Sequence, residues 1–334
     1  MSVIQLKVNP NEKVAFVGDL HFDTTVSSRL DNFLDTCCKK MHDIGEICEK
    51  ENVKYLFFAG DIFNKITCNH ECVNRAGASF LDLRAKGIRV FSICGNHDLP
   101  RDSLAKLKQS PIETLFSFGV LEHISLESPI EIYDVNSDTG KLSSLKITAC
   151  DFTQKVPDAD KNFDKNILLA HMFFDKSGFL GGDDQNITKD KMFNYGYDMA
   201  FLGHDHEEYD TVLCGKTLVV RSGSIMRGAV HDYNFKRVPG IVVLDDVFNP
   251  HNIRKVNIPC ANFKDVISQS ALNRKASNKQ DNLNYDALQS LADKLAQVKQ
   301  DEENKDVILD VIQNDMNLSD NCRKILLNYI SKVG

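Results

Sequence analysis

Residues 53–64 read VKYLFFAGDIFN. The apolar run Val53–Ala59 has the pattern of a buried strand. It stops at Gly60-Asp61-Ile62-Phe63-Asn64, a glycine turn that carries a carboxylate and an amide. Three other stretches have the same form, and a fourth ends in a histidine without the glycine. Val14–Val17 runs into Gly18-Asp19-Leu20-His21, and Ile88–Cys94 into Gly95-Asn96-His97-Asp98. Ile167–Ala170 ends in His171, and Asp198–Leu202 in Gly203-His204-Asp205-His206. Helical patterns separate the first three. One covers 28–50, with Leu30, Phe33, Leu34, Cys37, Met41, Ile44 and Cys48 spaced by three or four; another covers Val73–Arg84. Shorter β elements are expected over 118–150, and Thr217–Val220 and Gly240–Leu244 are expected as a β pair. Strands alternating with helices and then followed by more strands predict an α/β fold, a layered β core flanked by helices.

The chain has 334 residues, 42% of them apolar and 26% charged, with a net charge of −7. That composition excludes wholesale disorder and fits one large domain or two ordinary ones. An acidic balance excludes a protein whose main task is to coat nucleic acid with a basic surface, but not an enzyme that grips DNA over one groove. There is no apolar run long enough for a membrane span and no signal-peptide pattern at the start. The expectation is no membrane contact and a cytoplasmic location, in the host cytoplasm if the chain is viral. The ten cysteines are expected as thiols rather than disulfides. No GxxxxGK[ST] loop occurs, so the chain is not itself expected to hydrolyse ATP. The pattern changes near residue 250. The expected organisation is a main domain over 1–250, a linker or reduced capping region over 251–284 with a short helix at 263–272, and a small helical region over 285–334. Leu288, Leu291, Leu295 and Val298 begin that last region's apolar stripes.

In open α/β sheets, ligand chemistry gathers beyond the carboxyl ends of the strands. Five strand ends that all deliver Asp, His or Asn are hard to obtain from packing alone. Carboxylate, imidazole and an amide oxygen suit manganese, iron or zinc rather than calcium. A bridging carboxylate can hold two ions ~3.5–4 Å apart, which activates water and clamps a phosphoryl centre.

In their order, Asp19-x-His21, Gly60-Asp61, Gly95-Asn96-His97-Asp98, His171 and Gly203-His204-x-His206 resemble the calcineurin-like metallophosphoesterase superfamily. Gly60-Asp61-Ile62-Phe63, the segment Arg221-Ser222-Gly223-Ser224-Ile225-Met226-Arg227 and the return strand at Val238–Val243 are similar to those of SbcD-type double-strand-break repair nucleases. The short length resembles the phage members of that group, the small subunit of a phage recombination nuclease. The resemblance implies that Asp19, His21 and His206 hold one metal, that Asn96, His171 and His204 hold another, and that Asp61 bridges them. It implies that His97 acts on the leaving oxygen, that Asp98 orients His97 or its loop, and that Arg101 meets a phosphate oxygen. His231 is a weaker contact for substrate. Two divalent ions are implied, manganese first, with magnesium, iron(II) or zinc as alternatives. The implied activity is a DNA nuclease of repair and recombination, an exonuclease on duplex ends and an endonuclease on single strands. Its implied partners are DNA, a second copy of the chain, and the coiled coil of an SbcC-like ABC ATPase, docked by the C-terminal helices. The second reading is a stand-alone phosphatase or small-molecule phosphodiesterase; a non-catalytic adaptor is the third. The chain departs from the pattern at Asn64, where the family often has His or Asp, and at Ser222, where it usually has Pro.

Overall fold

Strands that are apolar on both faces need cover on both, and this chain provides it with two stacked sheets and helices outside them. A computed structural model of the protein describes residues 3–135, 143–175, 186–207 and 209–273. Along the chain come β1 (Ile4–Val8), β2 (Lys13–Val17), α1 (Phe33–Glu51), β3 (Val53–Phe58), α2 (His70–Ala85), β4 (Arg89–Ser92), α3 (Pro111–Ser117) and β5 (Glu122–His123). Then follow β6 (Ile130–Asp134), β7 (Ser144–Cys150), β8 (Lys165–His171), β9 (Phe173–Asp175), β10 (Asn186–Thr188), α4 (Lys189–Tyr195) and β11 (Met199–Gly203). The last are β12 (Asp210–Cys214), β13 (Thr217–Arg221), β14 (Gly240–Leu244), β15 (Ile253–Asn257) and α5 (Phe263–Val266).

One sheet has the order β15-β14-β2-β3-β4-β5 and the other β1-β6-β7-β8-β11-β13-β12, with β9 and β10 as a small separate pair. Side chains alternate between layers as the pleat requires. Val14 and Phe16 of β2 face the core between the sheets with Ile167 and Leu169 of β8, while Ala15 and Val17 lie under α1 and α2. Leu168 and Ala170 face the opposite way, toward Met192 of α4. Phe16, Phe57 and Phe91 are register neighbours across β2, β3 and β4, with ring centroids 5.6 and 5.0 Å apart; Phe201 of the other sheet stacks on Phe16 at 5.2 Å. The two sheets are thus keyed together by aromatic rings.

The α/β layered fold is as expected, with three local corrections. The first helix begins at Phe33, capped by the Asn32 side chain, and Leu30 is 67% exposed. Its apolar character mimicked one more helical turn. The strands at 217–221 and 240–244 do not pair: β13 lies beside β11, and β14 antiparallel to β2 in the other sheet. Both are apolar on both faces, and such a pattern does not encode which sheet a strand joins. The helix expected over 263–272 breaks after Val266, because Val266 accepts a hydrogen bond from the Leu30 amide and Ile267 bridges to Arg29. The chain forms a compact unit over Met1–Ile267, with β15 completing the six-stranded sheet. Of the second unit, Ser268–Gly334, residues 268–273 are described; the helices expected over 285–334 lie outside the described residues. Among the described residues, no helix is long and apolar enough to cross a membrane.

Parallel pairing of β2, β3 and β4, and of β8 and β11, aligns their carboxyl ends within each sheet. Nδ1 of His171, at the end of β8, sits 2.7 Å from the carbonyl oxygen of Ala59, just past β3. The carboxyl ends of the two sheets therefore meet.

Candidate metal centre

At that meeting point the polar strand ends converge. Asp19, His21, Asp61 and His206 each offer a ligand atom within 4.8 Å of the others. Nε2 of His206 lies 3.2 Å from Asp19 Oδ2 and 2.8 Å from Nε2 of His21. On the other side, Asn96 Oδ1 is 3.0 Å from both His171 Nε2 and His204 Nδ1. Asp61 stands between the groups: its Oδ2 is 3.8 Å from His21 Nε2 and 3.4 Å from His171 Nε2. Asp19, Asp61 and His171 are each only 1% exposed, so their polar atoms have no access to bulk water.

The protonation pattern asks for positive charge. The Ala59 carbonyl can only accept, so it fixes a proton on Nδ1 of His171. Neutral His171 would then aim a bare Nε2 lone pair at two further lone-pair bearers, Asp61 Oδ2 and Asn96 Oδ1. A cation at Nε2 removes the conflict, and a backbone carbonyl behind the ring is how a metal-binding imidazole is held. The same field sets the direction in which these groups shift. Burial opposes charge on His171, but the Asp61 carboxylate outweighs it and lifts the imidazole to about 10. Burial likewise opposes ionisation of Asp61, and His171 nevertheless draws it well below the usual carboxylate range. Burial pulls His21 down to about 4, leaving it a neutral ligand, and its Nδ1 has no hydrogen-bond partner among the described residues. The donor set fits two divalent ions, with Asp19, His21 and His206 on one side, Asn96, His171 and His204 on the other, and Asp61 between.

The sequence pattern of the calcineurin-like phosphoesterase family matches residues 12–208, the stretch that builds this cluster. The chain belongs to that family. It is also 24% identical, over 251 residues, to the DNA double-strand break repair protein Mre11 of Methanocaldococcus jannaschii. That alignment covers 70% of this chain and 64% of the relative, so the chain spans less than two thirds of that relative's length. Similar solved structures include a protein of Thermus thermophilus (TM-score 0.46, 8% identity, 74% of this chain and 99% of that one). A dimetal phosphatase from Danio rerio is another (TM-score 0.45, 10% identity, 75% and 100%). A third is GAP50, the anchor in the inner membrane complex of Plasmodium (TM-score 0.43, 12% identity, 75% and 89%).

In this phosphoesterase the loops that carry these donor residues hold unusual backbone. His21, Asp61 and His204 have φ of 55°, 49° and 84°, the left-handed region that side chains with a Cβ seldom adopt. Two glycines make room. A Cβ on Gly95 would lie 2.1 Å from Asp61 Oδ1, and one on Gly203 would lie 2.5 Å from the Ala59 carbonyl that orients His171.

Asp98 clamps the second and third loops, its carboxylate accepting from the amides of Ile62, Phe63 and Gly95 at 3.3, 3.2 and 3.0 Å. Burial and the neighbouring Asp61 charge push it up to about 7. The His97 amide donates to Asp61 Oδ1 at 2.8 Å, and Nδ1 of its ring donates to the Asn64 carbonyl at 2.8 Å. The departure at Asn64 thus leaves a backbone atom to orient His97, while its amide group is tied to Asp23 at 2.8 Å. Arg101 is exposed and forms no hydrogen bond or ion pair with the cluster. His231 stacks on Tyr233 at 5.0 Å, outside the ligand set.

Two contributors were missed in the sequence. Arg221 of β13, 5% exposed, pairs with Asp205 and, at 3.0 Å, with Asp210, which pins the turn bearing His204 and His206. Phe152 lies edge-on to His171 at 6.0 Å and stacks on His204 at 5.9 Å. Nothing in the sequence spacing links Phe152 to either histidine; the Asp between two ligand histidines was the available signal for Arg221.

Proposed function

We propose that this phosphoesterase is a two-metal DNA nuclease of repair or recombination, active on duplex ends and on single strands. The observation that carries the hydrolytic reading is the convergence of seven ligand residues with His97 held beside them on the Asn64 carbonyl. The Mre11 likeness supports DNA as the substrate class.

When bound, the ions supply an activated water and neutralise charge on the phosphodiester, and the donor set suits manganese. The chain's own residues do the rest. A cavity of about 220 Å³ opens beside His21 and His206, with Asn64, Ser224 and Tyr233 on its walls, and receives the scissile nucleotide. With the Nδ1 proton of His97 engaged by Asn64, Nε2 is the ring nitrogen that delivers a proton to the leaving oxygen. Asp98 and Arg221 position the ligand loops rather than touch substrate. The nuclease works as a dimer, with an SbcC-like ATPase bound by the segment beyond residue 285.

The test is a linear end-labelled duplex incubated with the protein and manganese, beside the Asp61→Ala variant and a small aryl phosphodiester. Degradation of DNA that disappears in Asp61→Ala is the expected result. Hydrolysis of the small ester with DNA untouched, alone and with the ATPase added, would overturn the nuclease reading in favour of a stand-alone phosphodiesterase.

A further inference from the structure

Beyond the metal centre the fold buries a second charged group. A cavity of about 290 Å³ lies between α1 and the chain after β15, bordered by Arg29, Lys39, Lys40, Arg227 and Cys260. Two carboxylates also line it, but each is engaged. Asp31 takes a bidentate ion pair from Arg29 at 2.8 and 2.7 Å, and Asp43 is held by Lys39 at 3.0 Å. Lys40 and Arg227 have no carboxylate partner among the described residues. Lys40 Nζ donates to the Ile225 carbonyl at 3.0 Å, and Arg227 donates to the carbonyls of Asn234 and Ala261. Lys40 is 5% exposed and Arg227 6%. Two buried cations facing one cavity without a counter-charge are costly, and a bound anion is the simplest compensation.

We infer that this cavity is a binding site for the phosphate group of a small phosphomonoester, with Lys40 and Arg227 as its cationic contacts. The phosphate belongs either to a free mononucleotide or to the end of a nucleic-acid strand. Guanidinium and ammonium together suit a phosphate, and the apolar Pro259 and Ala261 leave a wall for an organic body. Burial pulls the Lys40 ammonium down to about 7; Cys260 opposes the shift, while Arg227, Arg237 and Arg29 add a repulsion that a phosphate would relieve. Ile225 connects this cavity with the metal centre, since its amide donates to the Asp19 carbonyl at 2.8 Å while its own carbonyl holds Lys40. The site stands on its own residues and does not depend on the nuclease reading.

The test uses the full chain in EDTA, so that the metal centre takes no phosphate. The probes are inorganic phosphate, dAMP, and a thymidine oligomer with and without a 5′-phosphate. Binding is read by calorimetry and by mass-spectrometric mapping of Cys260 alkylation, a thiol exposed at the cavity wall. The expected result is binding of at least one phosphate probe and slower alkylation of Cys260. Affinity should fall at least about tenfold in Lys40→Met and be kept in Lys40→Arg. Protection by the phosphorylated oligomer but not by dAMP assigns the strand end; protection by dAMP assigns the free nucleotide. Should Lys40→Met fail to fold, Arg227→Met carries the same comparison. No binding of any probe at about 10 mM, on the order of the weakest useful affinities, would overturn the inference. So would binding that neither variant weakens.

Discussion

Replacing Arg221 with methionine tests how the ligand histidines are held. Methionine keeps the apolar stem of the arginine but deletes its charge. Arg221 is 5% exposed, and the side chain of its partner Asp205 is 8% exposed, so the aspartate would be left charged in a place water barely reaches. Breaking a buried pair from one side costs about 3–5 kcal/mol. The half-exposed Asp210 adds about 1 kcal/mol at most. For a cooperative unit spanning Met1–Ile267, an unfolding entropy of about 2.1 cal/mol/K per residue converts about 3 kcal/mol into a melting point lower by about 5 °C. Because Asp205 lies between His204 and His206, metal affinity should fall about 10–100-fold as the turn loosens. Calorimetric melting in EDTA reads the first effect, and manganese titration of the metal-free protein reads the second. Adding Asp205→Asn to Arg221→Met should recover most of the lost stability, since both charges are then gone. A variant that melts within about 1 °C of the parent and binds manganese equally well would refute the reasoning. So would strictly additive losses in the double variant.

Gly95→Ala should cost at least about tenfold in metal affinity, since its Cβ would stand 2.1 Å from Asp61 Oδ1 and displace the carboxylate between the two groups; the same titration checks it. His97→Ser should bind manganese as the parent does yet cleave about 10²–10⁴-fold more slowly; lost metal binding in that variant would sink the assigned role. Lys40 supplies a pH signature. Its folded pKa of about 7 lies below the unfolded 10.5, so between those values the unfolded chain binds more protons and stability rises with pH. The charged and titratable groups around it are Arg29, Asp31, Lys39, Asp43, Arg227, Arg237 and Cys260. Urea denaturation in a phosphate-free buffer should show a rise of roughly 2–4 kcal/mol from pH 7 to 10 that Lys40→Met lacks, the variant being the more stable protein at pH 7.

Much of this was legible in the sequence, for a definite reason. A strand covered on both faces writes a long apolar run, and a glycine-led polar turn, or His171 alone after Ala170, marks where it ends, so Val53–Asn64 and its four counterparts announce both the core and the place of the chemistry. Sheet membership is a different kind of information. Nothing in Thr217–Arg221 or Gly240–Leu244 says which sheet each strand enters, because that depends on contacts with β11 and β2 far away in the chain. Leu30 looks helical yet is solvent-exposed in a turn. Lys40 occupies a position next to the apolar stripe of α1, where a lysine ordinarily reaches water along its stem, and only the tertiary fold turns its ammonium to the Ile225 carbonyl at the wall of a cavity. Arg221 resembles any strand-end arginine until Asp205 is placed against it.

The left-handed backbone at His21, Asp61 and His204 carries a consequence for descent. Each costs roughly 1 kcal/mol that glycine would not incur, and the cost is offset in fitness only while the side chains serve the site. A lineage that abandoned the chemistry would no longer be held from a drift to glycine, which relieves the backbone cost at these positions. The residue types at these three sites therefore act as a clock of use. Among kindred chains, the spread of glycine there would separate working enzymes from retired ones before any assay is run.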